Sequence, residues 1–323
     1  MGAMNVLVSG GAGYVGSHTV LALLGAGHRV AVLDDLSTGH RDAAPPETRF
    51  FRIDLLDAGA VRDVLREGGF DAVVHFAAKA LVEESMRRPE LYFQSNIVAT
   101  LNLLEAVRLS ATRRIVFSSS CAVYGVPTEV PIPETHPLAP ANPYGFTKAV
   151  VERMLEEYRR AHGLGYAALR YFNAAGADPQ GRAGEKHDPE THLIPRVLRA
   201  ASGAGEPVTV CGSDYPTPDG TCVRDYVHVA DLAAAHLLAL DKVSPGTGET
   251  LNVGTGKGYS VLEVIRAARD VVGREIPFVV GPRRPGDPPI LVGRTDRIRS
   301  RWGWNPRWSD LPTIVDTAWK WHR

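Results

Sequence analysis

Short, almost continuous apolar runs alternate with longer stretches of helical periodicity through the first half of the chain. The runs fall at Asn5–Ser9, Arg29–Leu33, Arg49–Ile53, Ala72–Phe76, Arg114–Ser118 and Tyr166–Phe172, and they read as buried strands. The stretches between them predict helices: one ending near Gly25–Gly27, one near Ala60–Glu67, a long one from about Pro89 to Leu109, and one starting at Asn142–Pro143 and running through Ala149–Tyr158 toward Gly163. Asn142 is a good N-cap, Pro143 a good first helical residue and Gly163 a suitable C′ residue. Strands that alternate with helices in this way predict an α/β fold, a Rossmann-like doubly wound parallel sheet over residues 1–176.

The pattern changes after Phe172–Asn173–Ala174–Ala175–Gly176. From Ala177 to Val223 the chain is rich in Gly, Pro and Asp and only intermittently periodic, which suits a lobe covering a site better than another strand–helix unit. Residues 177–323 are therefore read as a smaller, mixed α/β C-terminal substrate lobe. Within it Val227–Leu240 predicts a helix, and residues 226–250 are expected to pack back on the first domain. Thr250–Asn252 and Ile276–Val279 read as strands and Val261–Val272 as a helix. No internal repeat or low-complexity tract appears.

Composition narrows the partners. Lys plus Arg equals Asp plus Glu at 36 each among 323 residues, so no overall field draws the chain to nucleic acid or to an anionic membrane, and a small-molecule partner is expected. No apolar run reaches the ~18 residues of a membrane span. The N-terminus opens on a strand instead of a signal peptide, so a cytoplasmic location is expected. Met1 to Ala3 are assigned no function. Cys121, Cys211 and Cys222 are an odd number at spacings that fit neither a zinc site nor a disulfide framework, and are read as free thiols.

Candidate chemistry gathers where strands end. Gly10, Gly13 and Gly16, with Tyr14 and Val15 between them, follow the first strand and open a helix, the arrangement that lets backbone N–H groups approach a pyrophosphate. The second strand ends in Asp34 and Asp35, where a carboxylate accepts from the adenosine ribose hydroxyls and repels a 2′-phosphate; NAD is therefore favoured over NADP. Asp54 and Leu55 follow the third strand, where such folds meet the adenine. Phe76, Ala77 and Ala78 follow the fourth, small enough to pass close to ribose and phosphates. Asn96 reads equally as a buried, satisfied amide or as a residue positioning the strand that follows. That fifth strand delivers Ser118, Ser119 and Ser120 at its carboxyl end, where open α/β sheets bind ligands.

Tyr144 and Lys148, four residues apart on the helix after Asn142, share one face. An ammonium beside a phenol lowers the tyrosine pKa from ~10, so that it can exchange a proton with a substrate hydroxyl near neutral pH. The scattered histidines, His75 included, have no metal-ligand spacing and read as structural or exposed. His187 and His192 fall in a stretch that reads as a substrate loop, and no metal is expected there.

Several strings together resemble the extended short-chain dehydrogenase/reductase family: GGAGYVGSHT at 10 to 19, HFAA at 75 to 78, FSSSCAVYG at 117 to 125, NPYGFTKAVVE at 142 to 152 and LRYFNAAGA at 169 to 177. DYPTPDGTCVRDYVHVADLA at 214 to 233, LNVGTGKGYSVLEV at 251 to 264 and PRRPGD at 282 to 287 resemble its UDP-glucose 4-epimerase branch in particular. The resemblance covers almost the whole chain. It implies Tyr144 as the proton acceptor, Lys148 as its electrostatic partner and a ribose ligand, and Ser120 as a donor to the sugar's reacting oxygen. Further cofactor contacts implied are Leu36, Ser37, Thr38, Gly39, Lys79, Asn96, Ser118, Tyr171 and Phe172. Asn173, His192, Leu193, Arg224, Arg284 and Asp287 are implied anchors of a UDP-sugar, and arginines suit a diphosphate because their fork donates two bonds and keeps its charge. The implied reaction exchanges UDP-galactose and UDP-glucose through a 4-keto sugar with tightly bound NAD. The implied assembly is a homodimer through helices near residues 89 to 109 and 143 to 161.

The chain departs from the family pattern at three places. Lys79 comes earlier in the HFA segment than some epimerases have it, His192 stands where asparagine is familiar, and Leu291 is neither the tyrosine nor the cysteine that goes with the two N-acetyl specificities. Related dehydratases and decarboxylases place Asp or Glu just after the serine or threonine. Here Cys121 and Ala122 occupy those places, which disfavours reactions that need a second acid/base group. A net dehydrogenase is the competing enzyme reading, and a redox-sensing binding protein, which commonly loses the tyrosine or lysine, the competing non-enzyme one.

Overall fold

A computed structural model describes all residues except Met1, Ala204 and Pro285, so Pro285 of the basic stretch and Met1 lie outside the described residues. In chain order the first half runs β1 (Asn5–Ser9), α1 (Tyr14–Gly25), β2 (Arg29–Leu33), β3 (Arg49–Phe51), α2 (Ala58–Gly68), β4 (Ala72–His75), α3 (Val82–Arg87), α4 (Pro89–Tyr92), α5 (Ala99–Leu109), β5 (Arg114–Ser120), α6 (Pro143–His162) and β6 (Gly165–Tyr171). The second half adds β7 (Asn173–Ala175), α7 (Leu193–Ser202), β8 (Val208–Cys211), β9 (Val223–His228), α8 (Val229–Lys242), β10 (Gly248–Val253), β11 (Gly258–Ser260), α9 (Val261–Val272), β12 (Phe278–Gly281), β13 (Ile290–Leu291), α10 (Asp296–Trp302) and α11 (Leu311–His322). No helix among the described residues is long and apolar enough to cross a membrane.

Seven strands form one sheet in the order β10-β6-β5-β4-β1-β2-β3. The chain starts in the middle, winds outward through β2 and β3, then crosses to β4 and winds the other way. The pairs β1–β2, β1–β4, β2–β3 and β4–β5 are all parallel. This is the doubly wound order whose reversal, between β1 and β4, opens a crevice at the strands' carboxyl ends. The middle residues of β1, β2 and β4, and those of β5 before its serines, are apolar and buried because helices cover both faces of the sheet. Leu7, Leu33, Val73, Ile115 and Phe117 pack with Val61, Leu65, Leu103, Leu104, Val151 and Leu155 of α2, α5 and α6 in one core.

Residues 1–125, 137–170 and 233–251 make up one compact unit, and residues 126–136, 171–232 and 252–323 a second. The second unit has its own core, in which Ile194, Val197 and Leu198 of α7 meet Val264 and Ile265 of α9 and Ile314 and Val315 of α11. Its sheet has β9 between β11 and β13, with β7 also paired to β9.

Several elements differ from the sequence expectation. The stretch 177–223 carries a helix, α7, because Ile194, Val197, Leu198 and Ala201 recur at helical spacing inside Gly- and Pro-rich flanks. It also carries β8 and the start of β9. The helix expected over Pro89–Leu109 is interrupted at Phe93–Val98 by a π-helical turn, and β5 continues to Ser120 instead of stopping at Ser118. The strand expected at Ile276–Val279 lies at Phe278–Gly281. The helix that starts after Asn142 is formed as expected: the Asn142 side chain accepts from Gly145 N–H at 2.8 Å, and Gly163 ends it at φ 69°.

Candidate active site

In the first unit the loops after β1, β2 and β4 converge at the reversal of the sheet. Both Phe76 N–H and Ala77 N–H donate to Ser9 O, at 2.8 and 3.1 Å, which sets the β4 loop against the glycine loop. The glycines there divide by cause. A Cβ on Gly16 would stand 2.1 Å from Gly10 O, so the protein's own packing of α1 on the loop demands glycine. A Cβ on Gly13 would come no closer than 3.4 Å to any protein atom, an ordinary contact. Gly13 is the N-cap of α1 and has no side-chain cap, so its bare backbone fits an anionic group docking at the helix's positive end.

Asp34 is buried and its two carboxylate oxygens accept from Ala12 N–H at 3.0 Å and Leu36 N–H at 2.9 Å. Burial pushes its pKa up against those two hydrogen bonds. The following loop turns through Leu36, a non-glycine residue held at φ 63°, and Asp35 accepts from Ser37 N–H at 2.8 Å. Arg41, the nearest following arginine, lies over the Phe50 ring at 4.4 Å and donates to Ala44 O, so it is engaged inside the fold. Carboxylates without a free arginine fit the unphosphorylated ribose of NAD. Leu55 O is held by Asn102 Nδ2 at 3.0 Å. The structure thus gathers Gly10 to Gly16, Asp34 to Gly39 and Phe76 to Lys79 at the carboxyl ends of β1, β2 and β4.

The catalytic candidates stand at the next strand. Ser120 ends β5, and its hydroxyl oxygen accepts from Ala122 N–H at 3.2 Å, which leaves its own proton for donation. Lys148 is buried; its Nζ donates to Ser118 O at 2.7 Å and lies 5.9 Å from the Tyr144 ring centre. Burial pushes Lys148 down to about 7, with Glu152 pulling the other way. A lysine poised there can give or take a proton at neutral pH. Tyr144 itself is half-buried at the start of α6.

Asn96 proves to be a satisfied amide with a positioning task. Its Oδ1 accepts from Lys79 N–H at 2.8 Å, and its Nδ2 donates to Lys79 O at 3.0 Å and to Thr147 Oγ1 at 3.0 Å. It ties the β4 loop to the tyrosine helix, and the π-helical turn that carries it widens the backbone where the clamp forms. His75 is buried between Ser9 Oγ and Thr100 Oγ1, and burial first, then Lys148, pushes it down to about 3, so it is neutral.

A buried network behind the serines is absent from the sequence reading. Glu152 accepts from Ser119 Oγ at 2.5 Å and from Arg170 at 2.9 and 2.5 Å, while Arg170 also donates to Tyr124 Oη at 2.9 Å. The signal available was two charged residues in apolar surroundings, Glu152 one turn beyond Lys148 and Arg170 inside a buried strand.

The second unit holds the other candidates. Asn173 Nδ2 donates to Asp225 O at 3.2 Å. Arg224 is ion-paired with Asp287 and donates to Val223 O at 2.8 Å, so one carboxylate orients the guanidinium. Arg284 is exposed and Phe172 is buried against Gly293. Tyr171 is half-buried, as is Leu193, the first residue of α7, and Leu291 lies in β13 beside Arg224 of β9. Asp225, which sequence reasoning missed, is fully buried and accepts from Thr255 N–H and Oγ1, Gly256 N–H and Gly293 N–H. His192 caps α7 without a side-chain cap bond; its ring instead meets Glu185, in a group with His187 and Glu190. Glu185 and then Glu190 hold His187 up at about 9, and although burial opposes it, His192 and His187 hold the Glu185 carboxyl down at about 2.

A glycine loop, the carboxylates after β2, and a Ser–Tyr–Lys set beside them are the features of a dinucleotide-dependent enzyme. Residues 6–254 match the NAD dependent epimerase/dehydratase family. The chain is 48% identical over 320 residues to the UDP-glucose 4-epimerase of Lacticaseibacillus casei, covering 99% of this chain and 97% of that one. It resembles the crystal structure of UDP-glucose 4-epimerase from Brucella ovis in complex with NAD, with a TM-score of 0.95, 47% identity and coverage of 99% and 98%. The UDP-glucose 4-epimerase from Bifidobacterium longum, in complex with NAD+ and UDP, aligns with a TM-score of 0.93, 35% identity and coverage of 98% and 97%. The chain belongs to the NAD dependent epimerase/dehydratase family.

Proposed function

We propose that the protein interconverts UDP-galactose and UDP-glucose through a transient 4-keto sugar. The observation that carries this reading is Ser120, Tyr144 and Lys148 at the end of β5 and start of α6, with Cys121 and Ala122 where elimination or decarboxylation would need a carboxylic acid. Gly13 and its neighbours would hold the NAD pyrophosphate, and Asp34 and Asp35 would receive its ribose hydroxyls. When bound, NAD supplies the acceptor and donor of the C4 hydride.

Tyr144 takes the proton of the 4-hydroxyl and later returns it. Lys148, poised near neutrality, favours the ionised phenol when charged. Ser120 donates its hydroxyl proton to the sugar oxygen and steadies the developing carbonyl. The reaction has no net redox change, so cofactor exchange is unnecessary, and the sugar must be free to present either face. Holding the substrate therefore falls to its nucleotide, through Asn173, His192, Leu193, Arg224, Arg284 and Asp287. Exposed apolar side chains on the helices near residues 89 to 109 and 143 to 161, among them Phe93 at 39%, Leu101 at 42% and Phe146 at 48%, support a homodimer through that face.

The test is incubation with UDP-galactose and no added cofactor, following UDP-glucose and NADH absorbance. UDP-glucose without accumulating NADH is the expected result. NADH accumulating with added NAD+ would make the protein a net dehydrogenase and overturn the reading. The same assay on N-acetylated and pentose sugars defines the specificity, and sedimentation analysis checks the dimer.

A further inference from the structure

We propose that Glu185, His187, Glu190 and His192 form a structural binding site for a divalent transition-metal ion, with Zn2+ as the fitting member of the class. Each residue offers one ligand atom, and these atoms lie within 4.8 Å of one another. Zinc bonds of ~2.0–2.2 Å to nitrogen and oxygen place neighbouring atoms of a tetrahedron about 3.4 Å apart. His187 Nδ1 is 3.1 Å from Glu185 Oε1 and 3.6 Å from Glu190 Oε1, so two edges already have nearly that length. The contact between His192 Nδ1 and Glu185 Oε1 is closer and opens as the widest pair draws in.

Glu190 gives a second, independent observation. Its side chain is only 1% exposed. Oε1 accepts from the backbone N–H groups of Thr191 at 2.8 Å and His192 at 2.9 Å, whereas Oε2 is buried with no hydrogen-bond partner. A carboxylate oxygen buried without a donor is costly, and a cation held by this carboxylate, whose Oε1 lies 3.6 Å from His187 Nδ1, offsets that cost.

Charge and donor type select the ion. Once the ion displaces the protons that the glutamates hold on the two rings, two carboxylates and two imidazoles sum to minus two, which a divalent ion balances. Mixed nitrogen and oxygen donors suit zinc and its transition-metal neighbours, whereas calcium and magnesium take oxygen alone. Four protein ligands leave no open position, so the site is structural and not catalytic. Trp321 Nε1 donates to Glu185 O at 3.0 Å, which links the segment to α11, and His192 leads directly into α7. A metal here would fasten residues 185–192 to the helices of the second unit.

The test uses the full chain after treatment with EDTA. Titration with Zn2+ against a chromogenic indicator is expected to give one ion per chain, and Co2+ the intense visible bands of a four-coordinate site. Glu190→Gln keeps an amide oxygen for the Thr191 and His192 N–H groups, and His187→Asn changes a partly exposed ring. Because outer partners alone are worth ~10–100-fold, each variant should weaken Zn2+ by at least about 100-fold. Zn2+ should also raise the unfolding temperature of the parent protein and leave that of both variants unchanged. Less than one ion per chain in excess Zn2+, equal affinity in parent and variants, or only the weak bands of six-coordinate Co2+ would overturn the proposal.

Discussion

Replacing Lys148 by methionine should make the protein more stable at neutral and acidic pH while removing its activity. Lys148 is 3% exposed, and burial lowers its pKa from 10.5 to about 7. At 1.36 kcal/mol per unit, a gap of about 3.5 units corresponds to an upper bound of about 5 kcal/mol for keeping the ammonium in place. The sign follows from the depressed pKa of a cation. The penalty is fully present below about pH 7 and fades as pH rises toward 10.5, where the unfolded chain also loses the proton. Methionine fills similar space without a charge but gives up the bond from Nζ to Ser118 O, a loss of about 1 kcal/mol. Relaxation around the charge trims the gain further, so Lys148→Met should stabilise by about 2–4 kcal/mol at pH 6 and by little or nothing at pH 10. Urea denaturation of both proteins, stripped of dinucleotide so that ligand binding adds nothing, measures this at pH 6, 8 and 10. A stability difference that is equal at pH 6 and pH 10 refutes the linkage. A variant less stable than the parent at pH 6 refutes the burial penalty itself.

Three further outcomes follow from the same geometry. Tyr144→Phe should lower turnover by at least about 100-fold while folding and dinucleotide content stay unchanged, and near-normal turnover would remove Tyr144 from the mechanism. Arg170→Met strands Glu152 in a buried site and should cost about 3–5 kcal/mol by chemical denaturation; a loss under about 1 kcal/mol would show that the network contributes little. Gly16→Ala puts a Cβ 2.1 Å from Gly10 O, so the purified variant should carry much less NAD, read from the nucleotide released on denaturation, although alanine is the better helix former.

Six strands of the doubly wound sheet were legible because each is a short apolar run closed by a distinctive loop, and local patterns of that kind survive in one dimension; β10, read from the sequence as a strand of the C-terminal lobe, joins the sheet beside β6. The N-cap at Asn142, the tyrosine and lysine one turn apart and the carboxylates after β2 are likewise local. The second unit was less legible. The apolar spacing of α7 is flanked by glycine, proline and aspartate, while α10 and α11 went unread although Gly303 ends the first and Asp310 caps the second.

What the sequence determined by itself was the placing of the candidate catalytic and dinucleotide-binding residues at strand ends, since those residues lie within a few positions of the strands that present them. Tertiary structure alone decided the pairings between distant residues. Glu152 meets Arg170 and Ser119, Asn96 clamps Lys79 to Thr147, and Asp225 gathers Thr255, Gly256 and Gly293. Even within residues 185–192, the backbone path and not the spacing brought two histidines and two glutamates together. A buried polar side chain must find a partner, but the partner's position in the chain is set by packing, and no periodicity records it.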